Sequence, residues 1–315
     1  MKSPLLEKGI KNWKKVILNV ILILFFVGMA YIFMFPVLYM ISVSVREPSS
    51  VKDPSVIWIP KSFSFKSIIN TLEIMDYWNS LWLTLKITVG ATLASLVSCV
   101  LTGYGLARYN FKGRGFVFGL LLLTIIIPPL SIINGSYINF RYFTFGGILE
   151  LFGGTSINLL NTEWTFILPA IFGAGLRNGL FIFIFRQFFI GMPKELEEAS
   201  CIDGCNAFST FVRVMLPNSR SAFITVMLFS FIWHWNDYYS AAVYFIEGAK
   251  PLSVTLYNLQ SLLSQADLGI GNTSPYLLRT YIQSGALLCV LPPLILYIFT
   301  QRYFTESIER TGIVG

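Results

Sequence analysis

The stretch ELEEASCIDGCNAFSTFVRVMLP, residues 195–217, is the part of this 315-residue chain that decides its fold. It is acidic, rich in small residues and prone to turns, whereas 55% of the whole chain is apolar and only 12% is charged. Because a soluble domain carries about 25% charged residues, the composition predicts an integral membrane protein. In such a protein a segment of this kind stays out of the bilayer, and its position orders the spans around it.

Six apolar runs flank this stretch, and each is long enough to cross the bilayer as a helix, for which about 20 residues are needed. They are residues 16–43, 81–106, 115–138, 164–189, 221–245 and 281–300. Proline pairs interrupt the third and sixth runs, which is tolerable where neighbouring helices or a cavity satisfy the freed backbone groups. The sequence therefore predicts an all-α transmembrane protein with six spans over residues 16–304.

Basic residues predict the orientation of these spans. With six spans, the N-terminal lysines and the basic residues after the second, fourth and sixth runs fall on one side, which is then cytoplasmic. Residues 1–15, the loop 193–217 and the tail 305–315 are expected there. The first run could be a signal peptide, but it is too long and lacks a cleavage site, so a retained helix is expected. The net charge of +7 follows from topology and does not indicate nucleic acid binding.

The loop 193–217 has the pattern of two short helices around a turn. Glu195, Glu197 and Glu198 suit a helix N-terminus, and Gly204 interrupts the helix. Apolar residues at i, i+3, i+4 and i+7 then predict one amphipathic face before Pro217 ends the helix. They are Phe208, Phe211, Val212 and Met215. A solvated linker is the alternative, but a linker needs no apolar stripe, whereas a docking helix does.

The same loop carries a spaced motif: E-A-S, three residues, G, nine residues, V-x-L-P. Its residues are Glu198, Ala199, Ser200, Gly204, Val214, Leu216 and Pro217, and Asp203 precedes the glycine. This resembles the EAA loop of permease subunits of ATP-binding cassette importers, E-A-A, three residues, G, nine residues, I-x-L-P. Ser200 stands where alanine is usual and Val214 where isoleucine is usual.

Further segments resemble the carbohydrate branch of that family, the maltose-permease type with six spans. They are NSLWLTLKIT (79–88), GYGLARYNFKGR (103–114), ILPAIF (167–172), FRQFF (185–189), WNDYY (235–239) and SIERTGIVG (307–315). Residues 133–161 fit least. The resemblance implies a half-translocator in the cytoplasmic (inner) membrane of a prokaryote. Its implied partners are the lipid bilayer, a second permease, two cytoplasmic ATPases that bind ATP and Mg²⁺, and an extracytoplasmic solute-binding protein. This chain itself is expected to bind no cofactor and to catalyse no reaction.

This resemblance implies that the loop 193–217, called the coupling loop below, sits in a groove of the ATPase. Glu198 is expected to cap and orient its first helix, Gly204 to form the turn, and Phe208 and Phe211 to fill the apolar contact. The full set of predicted coupling residues is Glu195, Glu197, Glu198, Ala199, Asp203, Gly204, Phe208, Phe211, Leu216 and Pro217. The tail is expected to reach the ATPases as well.

Polar residues within the apolar runs predict a substrate pathway. Arg177 precedes Arg186 by nine residues, about 13 Å along a helix, and a cation so deep in the bilayer faces a cavity or a partner. Structural pairing in a glycine kink is the alternative. The fifth run combines tryptophan rings with amide and carboxylate hydrogen-bond acceptors, as sugar sites often do. An interfacial aromatic belt also explains the tryptophans. The predicted pathway residues are Arg177, Asn178, Trp233, Trp235, Asn236 and Asp237.

Other functions remain open at this point. An ion-coupled secondary transporter usually needs intramembrane acids, and the runs contain only Asp237. A membrane enzyme is disfavoured because hydrolase, metalloprotease and phosphate-loop motifs are absent from the sequence. Cys201 and Cys205 lack the further ligands of a zinc site, so no metal is expected. A non-carbohydrate importer of the same family fits the coupling loop equally well.

Overall fold

A computed structural model describes residues 4–47, 59–60, 62–265 and 275–312. Within these ranges the regular structure is helical, apart from two isolated β-bridges, Arg46 with Phe63 and Phe143 with Ile157. The α-helices are α1 (Pro4–Ser44), α2 (Lys66–Ile74), α3 (Tyr77–Arg108), α4 (Arg114–Ile126), α5 (Pro129–Arg141), α6 (Ile148–Leu151), α7 (Trp164–Ile171), α8 (Asn178–Gly191), α9 (Glu195–Ile202), α10 (Ala207–Thr210), α11 (Leu216–Asn218), α12 (Arg220–Asn236), α13 (Tyr239–Tyr244), α14 (Leu252–Tyr257), α15 (Leu259–Gln265) and α16 (Pro275–Gly312). The all-α prediction is confirmed for this part of the chain.

Three helices, α1, α3 and α16, are long and apolar enough to cross a membrane. At about 1.5 Å per residue, the 32 residues of α3 exceed the ~30 Å hydrocarbon core. Counting each of two bent helix pairs as one span raises the number to five among the described residues. The six-span count and the cytoplasmic termini therefore stay predictions. Helix α16 continues to Gly312, and residues 313–315 of the predicted tail lie outside the described residues.

The other apolar runs are not single helices. Helices α4 and α5 meet at a bend of 100° beside Pro128, and α5 begins with Pro129, which needs no N–H partner there. The fourth run divides into α7 and α8, since Gly173 and Arg177 both have positive φ values, 72° and 62°, that no α-helix accommodates. The fifth run divides likewise into α12 and α13, with Asp237 between them.

The chain separates into two compact units. The described part of the first includes α1, α2, α15 and the first half of α16. Within it, Asn70 Nδ2 donates to the Tyr281 hydroxyl (3.2 Å), and the Arg279 guanidinium lies 5.4 Å from the centroid of the Tyr39 ring. Its contacts are thus partly polar, and many apolar side chains of α1 are exposed, as on a helix that faces lipid.

The second unit is built around α3, which packs against α7, α8 and α12. Gly103 permits the close approach of α3 to α8. A Cβ atom at this position would lie 2.6 Å from Phe185 Cβ and 3.1 Å from the Arg186 backbone nitrogen. Small residues at such crossings let helix backbones pack closely in membranes. The result is an aromatic core along α3 that includes Phe181, Phe185 and Phe189.

Candidate functional site

The coupling loop forms the predicted helix, turn and second helical segment. Helix α9 carries its three acids in the first turn, where they stabilise the positive end of the helix dipole. Gly204 turns the chain with φ 79°, a conformation that favours glycine. Asn206 then caps α10, since its Oδ1 accepts a hydrogen bond from the Ser209 backbone N–H (2.8 Å).

A π-helical turn, Phe211–Met215, connects α10 to α11. The expected apolar stripe does not stay on one face, because the Phe211 ring packs inward against the Tyr104 ring, 4.8 Å away between centroids. Phe211 is 6% exposed and Met215 is fully buried in the core of this chain, whereas Phe208 is 73% exposed. The prediction that Phe208 and Phe211 share one face is wrong, because Phe208 and Val212 are exposed whereas Phe211 and Met215 are buried.

Pro217 does not end the helical path. It lies two residues after the π turn, within the continuous helical segment Ala207–Asn218. The direction changes only after that, by 75° between the segment Ala207–Asn218 and α12. Leu216 is half-buried beside Pro217, which is exposed.

Both helical segments of the coupling loop contribute exposed residues to its outward face. Ile202, which the sequence did not single out, is 86% exposed and lies near the turn at Gly204. The sequence feature that could have identified Ile202 is its position four residues after Glu198, one helical turn along α9. The other exposed members of this face are Glu195, Glu198, Ala199, Asp203 and Phe208. These six exposed residues, which include the large apolar side chains of Ile202 and Phe208 and three carboxylates, are called the docking face below.

The inward face of the same loop is held by hydrogen bonds. The buried hydroxyls of Ser200 and Thr210 lie 2.7 Å apart and tie α9 to α10. Glu197 also points inward, because the Tyr104 hydroxyl donates to its Oε1 atom (2.9 Å). Glu197 thus has a different environment from Glu198, its exposed neighbour.

A cavity of about 390 Å³ lies where three helix breaks of the second unit converge. The α4–α5 bend, the residues between α7 and α8, and the residues between α12 and α13 all contribute to its wall. Three of the predicted pathway residues, Arg177, Asn178 and Asp237, line it. Most of the wall is apolar, and we call this space the polar cavity after these three side chains.

The three residues are held in different ways. Arg177 is exposed, and its guanidinium carbon lies 5.7 Å from the centroid of the Trp233 ring. Asn178 is buried, and its Oδ1 accepts a hydrogen bond from the Ser95 hydroxyl (2.8 Å). Asp237 accepts one from the Ser240 backbone N–H at Oδ1 (3.2 Å), while its buried Oδ2 has no hydrogen-bond partner among the described residues.

The remaining pathway residues do not line the polar cavity. Trp233 stacks between the rings of Phe181 and Phe229, each 5.5 Å away between centroids. Trp235 is buried, and its indole N–H donates to the Cys289 carbonyl (3.1 Å). Asn236 is exposed, and its Nδ2 donates to the carbonyl of Ile232 within its own helix (3.0 Å).

The aromatic wall of the cavity comes instead from residues that the sequence did not single out. The rings of Phe140 and Tyr244 meet edge to face at 5.1 Å, and Phe166 lies 5.7 Å from Tyr244. Ser136 and Ser240 add hydroxyls to the same wall. Phe140 and Ser136 belong to residues 133–161, where the family resemblance was weakest, so sequence comparison with the motif gave no signal for them.

A sequence profile described as "binding-protein-dependent transport system inner membrane component" matches residues 99–310, which include the coupling loop and all residues that line the cavity. The chain belongs to this family. The predicted membership is thereby confirmed, and the chain is a membrane permease component rather than the ATP-hydrolysing part of such a system.

Members of the family with described substrates are similar over nearly the whole chain. The arabinooligosaccharides transport system permease protein of Halalkalibacterium halodurans is 30% identical over 307 residues, 95% of this chain and 98% of that protein. The polygalacturonan/rhamnogalacturonan transport system permease protein of Bacillus subtilis is 28% identical over 92% of this chain and 96% of that protein.

The family fold is also found among solved structures. A chain of a bacterial ABC transporter involved in the import of the acidic polysaccharide alginate superposes with a TM-score of 0.69. The match covers 92% of this chain and 98% of that one at 21% identity. This likeness establishes the permease fold.

Proposed function

We propose that this permease imports a sugar or oligosaccharide across the cytoplasmic membrane of a prokaryote. It pairs with a second permease, receives its substrate from an extracytoplasmic solute-binding protein and is driven by two cytoplasmic ATPases. The carbohydrate-transport names of its relatives support this substrate class. The six-span topology with both termini in the cytoplasm belongs to the same proposal, and it places the coupling loop beside the ATPases.

The observation that carries the proposal is the docking face. Ile202 and Phe208 project from two helices that a turn at Gly204 brings together, and neither packs into the core of its own chain. Burying two such side chains against a partner contributes about 1.5–3 kcal/mol each. The surrounding carboxylates of Glu195 and Glu198 favour a groove with a basic rim, since complementary charges orient two docking proteins.

The polar cavity supports the substrate side of the proposal. Its volume of about 390 Å³ lies within the ~300–1,000 Å³ range of small-molecule sites. Helix breaks in membrane transporters are tolerated where they line a cavity, and they often form the substrate site. The rings of Phe140 and Tyr244 offer apolar faces to a sugar, while Arg177 and Asp237 offer a hydrogen-bond donor and an acceptor for its hydroxyls.

The mechanism proposed here involves no bond chemistry in this chain. ATP and Mg²⁺ bind to the partner ATPases, and their cycle shifts the permease between inward-open and outward-open states. The ATPases act on the docking face, and the polar cavity is the place where access alternates. A ligand or partner shifts such an equilibrium only by its difference in affinity for the two states, so the docking face must bind the ATPases differently in each.

The experiment is a charge substitution on the docking face. In the complex purified from its host, Phe208→Glu should abolish co-purification of the ATPases, because it places a carboxylate in an apolar contact. Phe152→Glu is the matched control, since Phe152 is 87% exposed but lies outside the coupling loop. Retention of the ATPases by Phe208→Glu would overturn the assignment of the docking face, and their loss from Phe152→Glu as well would show that the effect is not specific.

A further inference from the structure

Tyr104, near the end of α3, contacts three segments that lead into or form the coupling loop. Its ring lies 5.3 Å from that of Phe189 at the end of α8 and 4.8 Å from that of Phe211 in the π turn. Its hydroxyl donates to Glu197 Oε1 in α9. One side chain of α3 therefore contacts α8 ahead of the loop and the loop itself on both sides of the turn at Gly204.

Arg108 lies one helical turn further along α3 and contacts the same region. Its Nε atom is 3.5 Å from Glu197 Oε1, and its Nη2 atom donates to the Met192 carbonyl (2.8 Å), in the short connection between α8 and α9. Hydrogen bonds that involve a charged partner are about twice as strong as neutral ones. We call Tyr104, Arg108 and Glu197 the clamp.

The other contact region of α3 lies at the polar cavity. The Ser95 hydroxyl donates to Asn178 Oδ1, and the Ser98 hydroxyl donates to the Ala170 carbonyl (2.6 Å), so α3 holds both ends of the break between α7 and α8. Asn178 lines the cavity. Ser95 and Tyr104 are nine residues apart, about 14 Å along one uninterrupted helix.

We propose that the clamp makes the coupling loop and α3 move as one body, so that a displacement of the loop reaches the break at Asn178. Tyr104, Arg108 and Glu197 are positioning residues in this scheme, and none of them contacts the ATPases or the sugar. The inference rests on the proposed function, because it assumes that the ATPases displace the loop. It separates two adjacent acids by role: Glu198 belongs to the docking face, and Glu197 transmits movement.

The test measures transport per ATP hydrolysed in vesicles that contain the complete importer. Tyr104→Phe keeps the aromatic packing and removes one hydroxyl. We expect the ATPases to remain bound, while the transport-to-ATP ratio falls about tenfold, the size expected for one hydrogen bond to a charged group. A structural defect alone would lower the amount of assembled complex and leave this ratio unchanged.

A second variant and a control sharpen the test. Tyr104→Phe combined with Glu197→Ala should lower the ratio no further than Glu197→Ala alone, because the change at Glu197 already removes the acceptor of the Tyr104 hydroxyl. Tyr109→Phe is the matched control: it removes the hydroxyl of a tyrosine that is exposed and lies at the same end of α3, and the ratio should stay at the wild-type value.

The outcomes distinguish the clamp from the proposed function. If Phe208→Glu releases the ATPases but Tyr104→Phe keeps the wild-type ratio of transport to ATP hydrolysed, the docking face is supported and the clamp is wrong. Additive losses in the double variant would also overturn the clamp, since they would mean that the two residues act separately. If Phe208→Glu leaves the ATPases bound, the proposed function of the loop is wrong, whatever the result for the clamp.

Discussion

The coupling loop and the polar cavity are built on opposite principles. The loop is a continuous segment whose two helices are tied together locally, by the turn at Gly204 and the contact between Ser200 and Thr210. The cavity is assembled from three separate breaks in the helices of the second unit. A contact surface that must fit one partner is thus local in sequence, whereas a space enclosed by helices needs residues from distant positions.

The largest expected effect breaks the loop and spares the cavity. Gly204→Arg forces a side chain into a left-handed conformation that costs about 1–2 kcal/mol, and it places a cation on the acidic docking face. We expect loss of ATPase binding and of transport. Gly248→Arg is the matched control, because Gly248 also has a positive φ (73°) and open space around its Cα, but lies outside the loop. Co-purification of the ATPases measures the effect of both variants. Equal losses from Gly204→Arg and Gly248→Arg would contradict a specific role of the loop.

A second prediction separates the two faces of the loop. Phe211→Ala removes a buried ring from the core and should lower the stability of the purified permease by about 3–5 kcal/mol. Phe208→Ala removes an exposed ring and should leave the stability of the isolated permease unchanged while it weakens ATPase binding. Thermal unfolding of the permease and ATPase titration measure the two effects. A large loss of stability in Phe208→Ala would show that the loop has no free outward face.

A third prediction changes the cavity and spares the loop. Asp237→Asn removes the charge of the buried Oδ2 atom in the cavity wall and should weaken the apparent affinity of transport about tenfold, as loss of a charged hydrogen bond does. ATPase co-purification should not change. Asn236→Ala alters the exposed neighbour, which does not line the cavity, and should transport normally. Concentration-dependent uptake measures both variants, and identical uptake by Asp237→Asn and wild type would contradict this role.

The smallest expected effect concerns an aromatic residue that the sequence placed in the pathway. Trp235→Phe removes the hydrogen bond to the Cys289 carbonyl and should cost about 1 kcal/mol of stability. Uptake should keep the wild-type substrate preference, because this ring is buried away from the cavity. A changed preference among sugars would show that Trp235 contacts the substrate and belongs to the pathway.

The difference between the two regions also explains what the sequence could predict. In the loop, acids, a glycine and an N-cap act on their immediate neighbours, so the helix–turn–helix pattern followed from spacing alone. The burial of Phe211 did not follow, since it depends on packing against Tyr104, about a hundred residues earlier in the chain.

In the cavity, the sequence located Arg177, Asn178 and Asp237 because polar residues are costly in an apolar run. It could not tell which aromatic residues face them. Trp235 and Tyr244 look alike as apolar-run aromatics, and only the break after Asn236 decides that one packs inward while the other lines the cavity. Prolines and glycines marked the breaks in the third and fourth runs, but nothing of that kind marked the break at Asp237, and the Pro292-Pro293 pair lies within the unbroken α16. The convergence of the three breaks was not visible either.

The central claim is that this permease works as one part of an ATP-driven assembly. Native mass spectrometry of the tagged chain, purified from its host in mild detergent, tests it most directly. The account predicts one copy of this chain with one copy of a second permease and two copies of an ATPase. A homo-oligomer free of ATPase would contradict it and would favour an ion-coupled transporter.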